Sequence, residues 1–151
     1  MAGFKGQAEN SIDGKGRVPV PAPMRRALRP EANESFTATR GRQRCIHLYP
    51  ADRWEQIEEG FSKLNLWNEE SMAFIRMISM WAADVSLDGQ GRIAIPRSLA
   101  AYAGIEFGTK ALILGAFDHI EIWDPAVFET YVNQEAPKYE TLAETVMGGL
   151  G

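Results

Sequence analysis

The sequence predicts an α+β fold in which two similar β modules pair with pseudo-twofold symmetry and α-helices pack outside them. The first observation is an internal repeat, since residues 11–21 match residues 86–96 when 75 is added to each number. Eleven aligned positions give six identities and three exchanges between aliphatic residues. The second is that strand-like alternating segments follow each copy of the repeat. The third is a pair of amphipathic segments, typical of helices, between the copies.

The first module is predicted over residues 7–54. A strand over 7–12 leads into a turn over 13–16, and residues 17–20 return as its partner strand. Because Pro19 has no N–H to donate, that strand must lie at an edge or a bulge. Pro21 or Pro23 opens a short helix. Strands over 35–39 and 45–49 form a hairpin, and Asp52 is a candidate cap for the next helix.

A helical connector is predicted over residues 55–82. Apolar residues recur every three or four positions from Trp54 to Leu64, which indicates an amphipathic helix. A second helix begins after Asn68, a candidate N-cap. Its apolar residues cover much of its girth, so it is expected to be largely buried or to lie in a subunit interface.

The second module, residues 83–126, repeats the first. Strands over 84–87 and 92–95 flank a turn over 88–91, and a helix over 96–103 ends at Gly104 in a left-handed cap. The module continues with strands over 110–114 and 120–123. A helix over 125–135 follows, and residues 127–151 form the C-terminal helical tail. The tail after Pro137 is expected to be partly helical at best, with fraying at Gly148-Gly149.

Composition indicates a globular protein, with 45% hydrophobic and 24% charged residues. The net charge of −4 is unevenly distributed. Residues 1–50 carry nine basic and four acidic residues, whereas residues 51–151 carry seven and sixteen. A basic first third favours a local phosphate-binding face, because attraction depends on the local field. Residues 1–9 lack the apolar core of a signal peptide and no run reaches the ~20 apolar residues of a membrane span, so a cytoplasmic location is expected.

Several motifs together resemble the MraZ family of bacterial transcriptional repressors, encoded at the head of the division and cell-wall gene cluster. The resemblance covers residues 4–131. The motifs are Phe4-Lys5-Gly6, the two Asp-x-x-Gly-Arg turns, Leu48-Tyr49-Pro50 followed by Trp54, Tyr102-Ala103-Gly104-Ile105 and Glu121-Ile122-Trp123-Asp124.

The resemblance implies two swapped-hairpin modules of the SpoVT–AbrB type in each chain. It also implies ring-like homo-oligomers, often octameric, that bind direct repeats in promoter DNA upstream of their own operon. The DNA-binding Asp-x-x-x-Arg motif falls on Asp13 and Arg17 in the first copy and on Asp88 and Arg92 in the second. The chain departs from the family pattern at two places. Arg42-Gln43-Arg44 is more basic than that pattern predicts, and the helix over 71–82 is less basic, because Arg76 is its only basic residue.

The residue chemistry agrees with double-stranded DNA as partner. The guanidinium groups of Arg17 and Arg92 can clamp a phosphate or pair with guanine. Lys15 and Gln90 occupy the same turn position in the two copies. Lys15 suits a phosphate or guanine, whereas Gln90 can pair with adenine. Further predicted members are Lys5, Arg25 and Arg26 as an extension of the basic face, and Asp13, Gly16, Asp88 and Gly91 as residues that shape the turns. The alternative is that each Asp–Arg pair is only a salt bridge that stabilises its turn.

No catalytic residue, cofactor, metal or small-molecule substrate is predicted, and the protein is not expected to be an enzyme. One cysteine and two histidines are too few for a structural zinc site. Cys45 and His47 share a strand face, but no third orienting group is evident. The glycines near Lys15 lack the Gly-Lys-Ser/Thr of a phosphate-binding loop. A nucleoid-associated regulator is therefore predicted, with a ring-forming scaffold or an antitoxin-like regulator as alternatives; Arg40, Arg42 and Arg44 contact either DNA or another subunit.

Overall fold

The computed structural model describes residues 3–150, so the ends of the predicted N-terminal segment and tail, Met1, Ala2 and Gly151, lie outside the described residues. The α+β prediction is confirmed. The strands are Gln7–Ser11 (β1), Arg17–Pro19 (β2), Ser35–Arg40 (β3), Ile46–Pro50 (β4), Ala83–Ser86 (β5), Arg92–Ala94 (β6), Lys110–Gly115 (β7) and Ile120–Trp123 (β8). The helices are Ala22–Arg26 (α1), Ala51–Ser62 (α2), Glu69–Trp81 (α3), Arg97–Ala103 (α4), Pro125–Glu135 (α5) and Tyr139–Gly148 (α6). Among residues 3–150, no helix has the length and apolar character to cross a membrane.

Six strands form one antiparallel sheet in the order β1-β7-β8-β4-β3-β5. The first strand of each predicted module pairs with the hairpin of the other module, β1 with β7 and β5 with β3. The two hairpins join through β4 and β8 at the centre of the sheet. The modules therefore share their strands, and the predicted boundaries between them stay a prediction.

The other two strands, β2 and β6, form a separate two-stranded ribbon. The prediction that residues 17–20 pair with the first strand is wrong, because β2 pairs with β6 instead. The physical reason is burial: Val18 and Ile93 lie opposite each other in the ribbon and are 0% and 1% exposed. Both sides of this ribbon are edges, so Pro19 needs no N–H there.

A pseudo-twofold axis relates the two modules. In the ribbon, the pairs Arg17 with Ala94 and Pro19 with Arg92 exchange when each residue is replaced by its repeat equivalent. Val18 and Ile93 stand at the centre of this exchange. In the sheet, the pair of Ile46 with Ile122 and the pair of Leu48 with Ile120 exchange in the same way, and they lie on either side of the pair of His47 with Glu121. The axis therefore passes through the middle of the ribbon and through the middle of the β4–β8 pair.

One apolar core joins the ribbon, the sheet and the short helices α1 and α4. Its fully buried members come from both modules and both layers; they include Val18, Ile93, Met24, Leu99, Phe36, Ile46, Leu48, Ile113, Ile120 and Ile122. Burying a branched aliphatic side chain stabilises a protein by roughly 1.5–3 kcal/mol. The core thus fixes the ribbon on the sheet and sets the position of the turns that precede β2 and β6.

The helix ends follow the sequence in most places. Asn68 caps α3 by accepting a hydrogen bond from the Ser71 N–H, and Asp124 caps α5. Gly104 ends α4 with φ +71°, the left-handed conformation that glycine adopts at least cost. Asp52 is not a cap, because α2 already begins at Ala51 and places Asp52 in its first turn.

Two helical predictions need correction. The tail is more helical than expected, since α6 runs for ten residues up to Gly148, and the expected fraying there stays a prediction. Its apolar residues Leu142, Val146 and Met147 recur at helical spacing and stay exposed. In α3, none of the thirteen described residues is buried, so the expectation of a largely buried helix is wrong for the single chain.

Candidate nucleic-acid interface

The first turn, residues 13–17, is shaped by the carboxylate of Asp13. Its Oδ1 accepts the backbone N–H groups of Lys15 and Arg17, each at 2.9 Å. The backbone closes the turn with the Asp13 N–H donating to the Arg17 carbonyl at 3.0 Å. Asp is suited to this position because its short side chain can reach backbone groups two to four residues ahead.

The second turn, residues 88–92, has the same bonding pattern. Asp88 Oδ1 accepts from the N–H groups of Gln90 at 2.8 Å and Arg92 at 2.9 Å. The Asp88 N–H donates to the Arg92 carbonyl at 2.8 Å. Because the ribbon pairs β2 with β6, the two turns lie on one two-stranded unit and are related by the pseudo-twofold axis.

Each aspartate also holds its arginine. Arg17 Nε donates to Asp13 Oδ2 at 2.6 Å, and Arg92 Nε donates to Asp88 Oδ2 at 2.9 Å. Within residues 3–150, Arg17 forms side-chain hydrogen bonds only through Nε, whereas Nη1 of Arg92 also lies 3.9 Å from Asp13 Oδ2. The terminal amino groups, which form the bidentate fork toward phosphate or guanine, are thereby left for a ligand.

The carboxylates of both turns are held in their charged form. The backbone N–H of Arg17 is the main cause that lowers the pKa of Asp13 to about 2. The backbone N–H of Arg92 likewise lowers the pKa of Asp88 below its ordinary value. The Asp–Arg pairs therefore persist through the whole neutral and mildly acidic range.

Glycine is required in both turns. Gly16 and Gly91 have φ of +86° and +73°, where side chains are strained. A Cβ at Gly16 would come within 2.5 Å of the Phe107 ring, and a Cβ at Gly91 within 2.8 Å of the Arg25 guanidinium. A different side chain thus packs over each turn.

The other predicted basic residues separate into two places. Arg25 lies against the second turn, where its Nε donates to the Val20 carbonyl at 3.0 Å. Arg26 and Lys5 are exposed and line a different cavity, beside Phe4 and Met24. The structure therefore brings Arg25 to the second turn only, and it groups Lys5 with Arg26 elsewhere.

The basic hairpin between β3 and β4 is tied to α4. The Arg40 guanidinium lies 4.7 Å from the centre of the Tyr102 ring and 5.9 Å from that of Trp81. Arg44 Nη2 lies 3.4 Å from the Tyr102 carbonyl oxygen. Such cation–π contacts hold a guanidinium against its aromatic partners and give Arg40 a structural role.

Sequence reasoning missed a polar cluster at the centre of the sheet. Glu121 Oε2 lies 2.8 Å from His119 Nε2 and 3.1 Å from His47 Nε2. Glu121 is the third group beside Cys45 and His47 that the sequence analysis did not find. The signal was available, because His119 and Glu121 repeat the two-residue spacing of Cys45 and His47 at the start of the equivalent strand.

Charge and burial shape this cluster. Burial lowers the pKa of His119, but hydrogen bonds to Glu121 and Asp118 outweigh it and raise that pKa above its ordinary value. Burial raises the pKa of Glu121, yet its hydrogen bonds with His119 and His47 hold it far below the ordinary range. Burial also raises the pKa of the Cys45 thiol to about 12, so Cys45 by itself is not a thiolate nucleophile.

Comparison with known proteins gives a consistent match. The family model described as "MraZ protein, putative antitoxin-like" matches the chain twice, over residues 4–77 and 78–147. A "Transcriptional regulator MraZ" of Natranaerobius thermophilus is 35% identical over 144 residues, which are 95% of this chain and 96% of the relative. One of Desulfitobacterium hafniense is 37% identical over 144 residues, with the same coverage of 95% and 96%. One of Acetivibrio thermocellus is 35% identical over 141 residues, or 93% and 94% of the two chains.

Proposed function

Because the chain belongs to the MraZ family, we propose that it is a DNA-binding transcriptional regulator and not an enzyme. The observation that carries this proposal is the pair of turns at the ends of one ribbon. Each turn fixes its arginine through Nε and leaves the terminal amino groups for DNA. Lys15 and Gln90 are exposed in the same turns and add one cationic and one amide contact.

The bonding of the aspartates supports an indirect role for them. Both carboxylates accept two backbone N–H groups and one guanidinium Nε–H, so their lone pairs are largely occupied. A carboxylate near phosphate is repulsive unless it is neutralised in this way. We therefore assign Asp13, Asp88, Gly16 and Gly91 to turn shape, and Lys15, Arg17, Gln90 and Arg92 to DNA contact.

The supporting basic residues take different parts in this proposal. Arg25 extends the face formed by the turns, since it packs on Gly91. Lys5 and Arg26 contact a neighbouring phosphate of the DNA backbone, at the separate cavity that they line. Arg40 and Arg44 are assigned to the contact between modules rather than to DNA.

A ring-like homo-oligomer is part of the proposal. The exposed apolar residues Phe74, Met77 and Met80 of α3 offer a surface for self-association. Repeating the two turns around a ring that faces repeated promoter boxes would raise the effective concentration of each contact. The regulator would thus act as a repressor of the division and cell-wall gene cluster, including its own gene, in the cytoplasm and associated with the nucleoid.

The decisive test is a gel shift with DNA from upstream of the chain's own gene. An unrelated duplex of equal length at the same salt concentration serves as control, because phosphate contacts alone bind any sequence. Preferential retardation of the upstream DNA is expected. Equal retardation of both duplexes, or of neither, contradicts the proposal.

Two alternatives give other outcomes in the same experiment. A scaffold would form a ring by light scattering and shift no DNA. An antitoxin-like regulator, the description that the family model carries, would retain a second polypeptide during purification from its native source.

A further inference from the structure

Four side chains that commonly bind metals meet where the two hairpins join. Cys45 directly precedes β4 and His47 is its second residue, while His119 directly precedes β8 and Glu121 is its second residue. Since side chains alternate along a strand, each pair lies on one face. The register places His47 directly opposite Glu121, so both pairs share the same face of the sheet.

The pseudo-twofold axis passes through this cluster. The second hairpin is one residue shorter than the first, and with that shift His47 is equivalent to Glu121 and Cys45 is equivalent to His119. Each module thus supplies two donors at matching positions. A symmetric arrangement of two plus two donors around one axis is compatible with tetrahedral coordination.

The distances are close to those of a coordination sphere. The donor atoms of Cys45, His47 and Glu121 all lie within 4.8 Å of one another. Nε2 of His119 lies 2.8 Å from Glu121 Oε2, and Nε2 of His47 lies 3.1 Å from it. Zinc bonds of about 2.0–2.3 Å hold tetrahedral donors roughly 3.3–3.7 Å apart. Cys45, His47 and Glu121 are therefore close enough to share an ion, and His119, which adjoins Glu121, would complete the set by a side-chain adjustment.

Hydrogen bonds outside the cluster orient the donors. His119 Nδ1 lies 2.8 Å from Asp118 Oδ1, and Asp118 Oδ2 accepts from Arg53 Nε at 3.0 Å. This is the carboxylate–histidine arrangement that fixes the ring of a metal-binding histidine. The Trp123 Nε1–H donates to Glu121 Oε1 at 2.9 Å, which leaves Oε2 directed to the two imidazoles.

Three of the four side chains are accessible from solvent, whereas Cys45 is buried. His47, His119 and Glu121 have side chains that are 13%, 15% and 16% exposed. All four residues line a cavity of about 570 Å³, together with Tyr131 of α5. An ion can reach the donors through this cavity without local unfolding.

We propose that Cys45, His47, His119 and Glu121 form a binding site for a divalent transition metal of the zinc class. Sulfur and imidazole donors favour such ions over magnesium or calcium, which take oxygen ligands. The site joins the two hairpins and is independent of the proposed DNA interface. A zinc site is not predicted from the sequence because one cysteine and two histidines give only three ligands; Glu121 supplies the fourth.

The test uses the full chain without a histidine tag, stripped with EDTA and titrated with Co²⁺. Saturation at one ion per chain is expected, with the visible bands of tetrahedral Co²⁺ and a near-ultraviolet thiolate charge-transfer band. Cys45→Ser should remove the charge-transfer band, and added Zn²⁺ should displace Co²⁺. Because metal competes with protons for the same donors, affinity should fall as the pH is lowered.

A graded set of variants separates a metal site from a hydrogen-bonded network. Glu121→Gln removes a ligand and should weaken Co²⁺ binding by at least ~100-fold, whereas Asp118→Asn keeps all four donors and should weaken it by about 10–100-fold. Glu129→Gln makes the same chemical change on an exposed carboxylate of α5 and should have no effect. Circular dichroism checks the fold of each variant.

The absence of saturable Co²⁺ binding in the wild-type chain overturns the proposal and leaves a hydrogen-bonded network only. So does unchanged affinity in Asp118→Asn, which decides the question even if Glu121→Gln fails to fold. Neither result bears on the gel shift, since the turns and the cluster share no residue.

Discussion

The two Asp–Arg turns have the same backbone and the same hydrogen bonds, but their surroundings differ. The Arg17 side chain is 39% exposed and bonds only to Asp13 among the described residues. The Arg92 side chain is 26% exposed and lies near both Asp88 and Asp13. Phe107 covers the first turn, whereas the charged Arg25 covers the second.

This difference in surroundings predicts a different role for each of the two turns. The first turn presents an arginine that, among residues 3–150, is held by Asp13 alone, beside Lys15 and over the Phe107 ring. In the second turn, Arg92 is shared by two carboxylates and lies beside the neutral Gln90. We therefore expect the first turn to contribute more electrostatic affinity and the second to contribute more to holding the two turns together.

The largest expected effect is on DNA binding. Arg17→Ala should abolish detectable binding to the upstream DNA, because loss of a bidentate contact of about 1–3 kcal/mol is repeated in every subunit of the ring. Arg92→Ala should leave weak but measurable binding. Fluorescence anisotropy at fixed salt measures both, with Lys63→Ala, an exposed residue directly after α2, as control. Wild-type affinity in Arg17→Ala would remove this residue from the interface.

The next effect is on stability. Both Gly16→Ala and Gly91→Ala place a side chain at positive φ, at a cost of roughly 1–2 kcal/mol. Gly16→Ala should cost about 1–3 kcal/mol more, since the Phe107 ring lies under Arg97 and cannot move easily. The Arg25 side chain is exposed and can move away from Gly91. Urea unfolding compares the free energies, and equal losses would contradict the difference in packing.

A smaller effect concerns acid stability. The pKa of Asp13 is about 2 in the folded chain and ordinarily near 3.8, so its stabilisation is complete above pH 3.8 and is lost as the pH falls toward 2. Asp13→Asn should remove this part of the pH dependence. Asp88→Asn should remove less, because Asp88 has only one arginine beside it.

Urea midpoints measured at several pH values between these limits provide the comparison. Glu129→Gln, on an exposed face of α5, controls for the loss of one negative charge. An identical pH slope in the wild type and Asp13→Asn would show that the carboxylate is not held by the turn.

The smallest effect is on salt dependence. Lys15→Gln should reduce the slope of log affinity against log salt by about one for each first turn that touches phosphate. Gln90→Ala should leave that slope unchanged, because an amide releases no counterion. The measurement is anisotropy across a salt series, and a reduced slope in Gln90→Ala would reverse the assignment of the two turns.

Much of the fold could be predicted because the repeat fixes equivalent elements. The caps at Asn68 and Gly104 are local signals, and both predictions are confirmed. The partner of β2 could not be predicted in this way. A strand of three residues carries almost no register information, and the choice of β6 depends on burying Val18 against Ile93, which are far apart in the sequence.

The candidate site likewise combines features that local sequence signals predict with features that depend on tertiary packing. The turn residues follow from spacing, and their contact with DNA stays a prediction. The placement of Arg25 over Gly91 depends on α1 packing near the other module's turn, which no local pattern encodes. The cluster around Glu121 depends on which strands become neighbours. Apolar spacing in α3 predicted either a largely buried helix or a subunit interface; the first is wrong for the single chain and the second stays a prediction.

The exchange of strands between modules has a consequence for synthesis on the ribosome. When the first module emerges, β1 and β2 have no partners, because β6 lies about half a chain after β2 and β7 about two thirds of a chain after β1. The nascent polypeptide must keep these segments unpaired until β6 and β7 are translated. Folding is therefore coupled to completion of the chain, and pairing between distant segments makes it slow relative to proteins with local contacts.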